Sequence, residues 1–239
     1  MSFNYDDEIV NAFTTSNIRL ALEALERASD EQMILIDKNG RVGTIREFFH
    51  GKEDVTVIKG SFNPIHNGHI YLFEATSRKY PGSGGAFAVS FYTAKGNVNV
   101  NELIARARLI NKLGYPVIIS KSGYFYKNAE CLKKTLPHAR IIFALGIDAL
   151  ISLLNYFSPD EFKAHFEDVT FEYLGRPGCD KVLPERFLRP EYSNINLLGK
   201  GLDENISSSL IRNLKAQSRR EEIEKLMPAS AAESYWFEF

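Results

Sequence analysis

The spacing of apolar residues changes character at Val55. Before it, Ile18, Ala21, Leu22 and Leu25 recur with helical period and Ser16 stands where an N-cap belongs, which predicts an amphipathic helix from about Asn17 to Ala28. The apolar run Met33-Ile-Leu-Ile36 predicts a short strand, closed by the turn-forming pair Asn39-Gly40. Thr44-Ile-Arg-Glu47 has the form of a capping box that opens a short helix through Phe48 and Phe49. From Val55 onward, apolar runs and helical periodicity alternate. Strands are predicted over 55–58, 86–91, 117–120, 141–145, 169–174 and 194–198, and helices over 70–79, 101–113, 128–136 and 159–166. Gly114 and Pro116 stop the second of these helices, and Ser158-Pro-Asp-Glu161 caps the fourth. The stretch from Leu226 through Trp236 reads as short terminal helices over the sheet. Such alternation predicts an α/β fold: a doubly wound, parallel sheet with helices on both faces, spanning 54–239. Residues 1–53 are then an N-terminal α/β extension packed on it.

The first predicted strand of the repeating part leads into Gly60-Ser-Phe-Asn-Pro-Ile-His-Asn-Gly-His-Ile70, the densest cluster of unusual residues in the chain. A strand that turns directly into a helix aims the helix's unpaired N–H groups and the positive end of its dipole at the turn, which suits a phosphate. Gly60 lets backbone approach a ligand closely, and Pro64 stiffens the turn. His66 and His69, three residues apart across the helix start, can face the same anion. A lone histidine is most often an ordinary polar residue. That reading does not explain two histidines, Gly68 and a preceding strand together.

Charge and composition narrow the alternatives. With 29 basic and 30 acidic residues the chain has no general field for nucleic acid or an acidic membrane, so phosphate binding must be local. Cys131 and Cys179 are too few for a disulfide framework and fit a reducing compartment. The acidic start lacks an apolar signal core, and the most apolar run, Ile141 to Leu154, is short and interrupted by Gly146 and Asp148. A cytoplasmic protein without a membrane or nucleic-acid partner is expected.

Further candidates follow at the expected carboxyl ends of strands, where ligands bind in sheets of this class. Gly146-Ile-Asp148 leaves room for a ligand and offers a carboxylate, although an Asp there also caps a helix. Arg176, in Arg176-Pro-Gly178, can either bridge within the fold or reach a phosphate with its planar fork. Ser207, Ser208 and Arg212 lie in Asn205-Ile-Ser-Ser-Ser-Leu-Ile-Arg212. The serines read as an N-cap, and Arg212 falls on the side of Ser208, so together they make a second anion site.

These residues resemble a family. Gly60, Phe62, Pro64, His66, Gly68 and His69 match the GxFxPxHxGH motif of the HIGH-type nucleotidyltransferases. Ile206 to Arg212 resembles the Ile-Ser-Ser-x-x-Ile-Arg motif of its nicotinamide and nicotinate mononucleotide adenylyltransferases. The resemblance runs from about Val55 to the C-terminus and is thin after Phe91. It implies a Rossmann-like fold and transfer of AMP from ATP to a phosphorylated small-molecule acceptor, nicotinamide or nicotinate mononucleotide. It assigns His66, His69 and Arg212 to catalysis, and Gly60, Ser61, Phe62, Gly68, Gly146, Asp148, Ser207 and Ser208 to the nucleotide. Lys95, Arg176 and Tyr156 are assigned to the acceptor, Tyr156 (or Phe157) standing in by stacking for the family's tryptophan near the pyridine ring. Mg²⁺ is expected on the triphosphate, held mainly by phosphate and water rather than by a protein cage. The alternatives are adenylyl or cytidylyl transfer to another phosphorylated acceptor, and a catalytically silent nucleotide-binding regulator.

Overall fold

The computed structural model describes residues 33–93, 96–97, 99–175, 183–202 and 206–238, together with Ser16, 18–20, 22, 23 and 25. The side chains of 92, 93, 96, 97 and 238 are outside that description. Lys95, Arg176, Asn205 and Cys179 also lie outside the described residues.

One eight-stranded sheet organises the chain. Its strands are β1 (Met33–Ile36), β2 (Val42–Gly43), β3 (Asp54–Lys59), β4 (Gly84–Ser90), β7 (Val117–Ser120), β8 (Arg140–Gly146), β9 (Val169–Gly175) and β10 (Ile195–Lys200). A separate two-stranded ribbon, β5 (Tyr92–Thr93) and β6 (Gly96–Asn97), follows β4. The order is β10-β9-β8-β3-β4-β7-β1-β2. The six strands from β10 to β7 run parallel, as alternation of strands with helices requires. β1 pairs antiparallel with β7, placing Ile34 opposite Ile119, and β2 pairs antiparallel with β1. The sheet is therefore mostly parallel, with an antiparallel edge supplied by the first fifty residues.

Helices cover both faces. They are α1 (Ile45–Phe48), α2 (Asn67–Lys79), α3 (Val100–Lys112), α4 (Phe125–Thr135), α5 (Ile147–Leu154), α6 (Pro159–Phe166), α7 (Ser208–Ala216), α8 (Arg220–Leu226) and α9 (Ala229–Glu238). Because successive side chains of a strand point to opposite faces, Val57 joins the core under α4, α5 and α6, whereas Ile58 joins the core under α2, α3 and α7. Strands buried on both sides explain why the apolar runs are continuous rather than alternating. Helical Ile18, Leu22 and Leu25 enter the second of these cores, and Ser16 is itself helical rather than standing before the helix.

Local chemistry sets most boundaries. Thr44 and Ser158 each close a capping box with Glu47 and Glu161, as their spacing predicts. The most informative departure is β4, which begins at Gly84, two residues before the predicted start. A Cβ on Gly84 would lie 2.4 Å from Cδ1 of Phe49, and one on Gly85 would lie 2.8 Å from Cζ of Phe73. Glycine is in the strand because aromatic rings lie directly on its backbone. Likewise α4 begins at Phe125, three residues before the predicted start, since Phe125 packs on Phe143.

Candidate active site

The carboxyl end of β3 leads through 60–65 into α2, and the turn is shaped by Phe62. Its φ of 45° is left-handed, a conformation that costs a non-glycine residue on the order of 1–3 kcal/mol. Burial offsets that cost: the ring packs edge-on against Phe87 at 5.2 Å and His69 at 4.9 Å. The Asn63–Pro64 peptide is cis. Gly60 is required by the same ring, because a Cβ there would stand 3.0 Å from it. Phe62 thus supports the turn from beneath.

His66 is the N-cap of α2 and His69 its third residue. The rings stack with centroids 3.6 Å apart. The backbone N–H of His66 donates to Nδ1 of His69 at 3.2 Å, so Nδ1 is unprotonated and Nε2 carries the N–H of a neutral ring. Burial pushes the His69 pKa well below its usual value, and the neighbouring His66 adds to the effect. His69 is therefore a neutral donor at pH 7. Gly68 leaves room for the stack, since a Cβ there would meet Nδ1 of His66 at 3.1 Å.

These groups open on a cavity of about 380 Å³ at the carboxyl ends of β3, β8 and β9, where a doubly wound sheet binds its ligands. His66, His69, Gly60, Ser61, Gly68, Gly146, Asp148, Ser207 and Ser208 all line it. Three helices start at its wall: α2 at His66, α5 at Gly146 and α7 at Ser207. Three sets of N-terminal N–H groups and three positive dipole ends therefore converge on one space. A Cβ on Gly146 would meet nothing within 4 Å, so the open side there is the cavity itself. Leu145, Leu174, Leu202 and Ile206 give the β8–β9 side an apolar wall.

The second motif is fastened to the first. Ser207 caps α7 by accepting from the Leu210 N–H at 3.1 Å, while the Ser208 hydroxyl donates to the Pro64 carbonyl at 2.8 Å. Arg212 is exposed and does not line the cavity. Its guanidinium donates to the Asn63 carbonyl and, at 3.0 Å, to Ser209 Oγ. Tyr156 also stays outside the cavity, 66% exposed beside Phe157 and Tyr124. Among the described residues no group of three or more His, Cys, Asp and Glu is placed to hold a metal ion. No helix among them is long and apolar enough to cross a membrane.

Two functional candidates have little signal in the sequence. Lys59, the last residue of β3, lines the cavity and donates to Ser90 Oγ at 2.8 Å, Asn128 Oδ1 at 3.3 Å and the Ser122 carbonyl at 3.4 Å. Burial alone pushes its amine down to about 7. A lysine ending an apolar strand normally reads as solvated, and only its place immediately before Gly60 marks it. Arg106 of α3 is buried with Glu102 at 2.7 Å. Burial lowers its pKa, Glu102 opposes that shift, and the Arg212 charge adds to it.

The mostly parallel sheet, with helix starts and paired imidazoles at its carboxyl edge, defines an α/β protein of the doubly wound class, and the chain belongs to the cytidylyltransferase-like family, whose model matches residues 57–214. It is 23% identical over 153 residues to a Mycoplasma pneumoniae protein described as a probable nicotinate-nucleotide adenylyltransferase/Ap4A hydrolase, covering 60% of this chain but 42% of that one. The fold is similar to that of Plasmodium falciparum nicotinic acid mononucleotide adenylyltransferase. In its complex with NaAD the TM-score is 0.58 at 17% identity, covering 76% of this chain and 94% of that one. In its complex with APC the TM-score is 0.55 at 19% identity, with the same coverage.

Proposed function

We propose that the protein transfers AMP from ATP to a pyridine mononucleotide, nicotinate or nicotinamide mononucleotide, releasing pyrophosphate. The observation that carries this reading is the convergence of three helix N-termini and the stacked His66–His69 pair on one cavity. The names of the similar proteins favour nicotinate mononucleotide. In this reaction an acceptor phosphate oxygen attacks the α-phosphorus in line, the bond from that phosphorus to the bridging oxygen breaks, and pyrophosphate leaves with its electrons. Charge builds on the equatorial oxygens and the leaving group, so positioning and electrostatic stabilisation do most of the work. His66, the neutral Nε2–H of His69 and the start of α2 serve the α-phosphate. Ser207, Ser208 and the start of α7 serve the departing pyrophosphate, with Arg212 bound beside them. Gly146, Asp148 and the apolar wall take the nucleoside. Mg²⁺ accompanies the triphosphate and offsets its charge. Arg176 is assigned to the acceptor by resemblance, and Lys95 by its place just past the second predicted strand. Residues 1–53 form an extension of the nucleotidyltransferase unit 54–239, a division supported by the edge pairing of β1 with β7.

The test is pyrophosphate release with ATP and Mg²⁺ against nicotinate mononucleotide, nicotinamide mononucleotide, phosphopantetheine, and CTP with glycerol phosphate or choline phosphate. Release with a pyridine mononucleotide is expected. Release only with another acceptor would replace the substrate, and ATP binding without release on any acceptor would overturn the enzymatic reading.

A further inference from the structure

Lys59 stands apart from the phosphate-binding groups. The β8–β9 side of the cavity has the apolar wall, whereas Lys59 reaches the other way, towards β4 and the segment after β7. Its surroundings are assembled from several elements. Asn128 of α4, buried, donates to the Ser122 and Tyr124 carbonyls at 2.8 and 2.7 Å, and buried Ser120 donates to the same Ser122 carbonyl at 2.9 Å. The Phe125 ring lies 5.7 Å from the amine. Every acceptor offered to Lys59 is neutral, and only Ser90 is close. Among the described residues Asp148 is the one acid lining the cavity, and none is hydrogen-bonded to the amine. A half-buried amine without a counter-charge, on the wall of a ligand cavity, costs free energy that an incoming anion recovers. In-line attack needs separate groups for the acceptor and the departing pyrophosphate, and Lys59 is bonded to Ser90 and Asn128 whereas Ser208 is bonded to the Pro64 carbonyl.

We infer that Lys59 is the acceptor-side anion anchor, taking a carboxylate or phosphate of the acceptor in a subsite walled by Ser90, Ser122, Phe125 and Asn128. The inference rests on the reaction proposed above, as it names the group in that site that selects the acceptor. A purely structural Lys59 would instead tie β3 to β4 and α4, and its loss would disturb both substrates alike.

Equilibrium dissociation constants for nicotinate mononucleotide, nicotinamide mononucleotide and ATP separate these roles, measured on the full chain, Lys59→Met and Ser90→Asp. Ser90→Asp supplies an internal carboxylate to the amine and keeps the protein testable should Lys59→Met fold poorly. Losing a charge-assisted contact should weaken the acceptor about tenfold or more in both variants, while ATP affinity stays within about two-fold. If the anchor takes the carboxylate, only the acid mononucleotide weakens; if it takes the phosphate, acid and amide weaken together. Unchanged acceptor affinity, or equal losses for acceptor and ATP, would overturn the inference. Pyrophosphate release by the parent is scored separately. Lys59-dependent binding without release would sink the proposed reaction and leave the anchor standing, release with Lys59-independent affinity would do the reverse, and a parent that binds neither mononucleotide would end both.

Discussion

Replacing His69 by Ala removes three things. It takes away the Nε2–H assigned to the α-phosphate, the Nδ1 that accepts from the His66 N–H at 3.2 Å, and a ring stacked 3.6 Å from His66. Loss of a preorganised donor to a developing oxyanion costs about 10²–10³-fold in kcat, roughly 3–4 kcal/mol. The unpaired amide costs about 1–3 kcal/mol of stability at neutral pH. A second signature comes from protonation. Burial holds the folded-state pKa of His69 below the ordinary 6.5, so between those two values the unfolded chain binds the extra proton. Stability is thus complete above about pH 6.5 and falls as pH drops from there towards the folded-state value, by up to about 1.4 kcal/mol per pH unit. Urea unfolding at pH 5 and pH 7.5, with kcat from pyrophosphate release, tests both parts. The variant should lose turnover and show a shallower fall in stability towards acid. Turnover within a few-fold of the parent would refute the donor role, and an undiminished acid slope would refute the neutral buried ring.

Two further outcomes are expected. Arg212→Lys keeps the charge but cannot hold both the Asn63 carbonyl and Ser209, so kcat/KM for ATP should fall about tenfold or more while stability changes by less than about 1 kcal/mol; a parental kcat/KM would remove Arg212 from the reaction. Gly146→Ala should leave thermal unfolding nearly unchanged but raise the KM for ATP, whereas Gly84→Ala should cost about 1–3 kcal/mol of stability, because its Cβ would press within 2.4 Å of the Phe49 ring. Equal stability losses at the two glycines would contradict the packing described for β4.

What could be read from the sequence follows the range of the interaction that decides each feature. β1, β7 and α6 begin and end where their apolar runs, turn pairs and capping box place them, since neighbours along the chain settle those boundaries. That residues of the two motifs share one cavity is legible because each motif is a helix start. The predicted strand over 86–91 leaves out Gly84 and Gly85, because what requires glycine there is an aromatic ring from another element. Phe62 reads as part of the nucleotide site, yet the ring is turned under the backbone against Phe87 and His69. Lys59 was invisible as a candidate because its character comes from Ser90, Ser122 and Asn128, distant in sequence. Nor does spacing along α7 show that Arg212 reaches across to the Asn63 carbonyl.

The pairing of β1 with β7 also bears on how the protein keeps to itself. β7 is four residues long, and Val117, Ile118 and Ile119 are all buried. Without β1 it would end the sheet with a row of open backbone donors and acceptors flanked by aliphatic side chains, a template for pairing with another chain. β1 covers that row, and among the described residues the sheet then ends at β2, two residues long and only partly buried. The β1–β2 pair therefore acts as a stop on sheet growth. A chain without β1 would expose a strand edge suited to self-association.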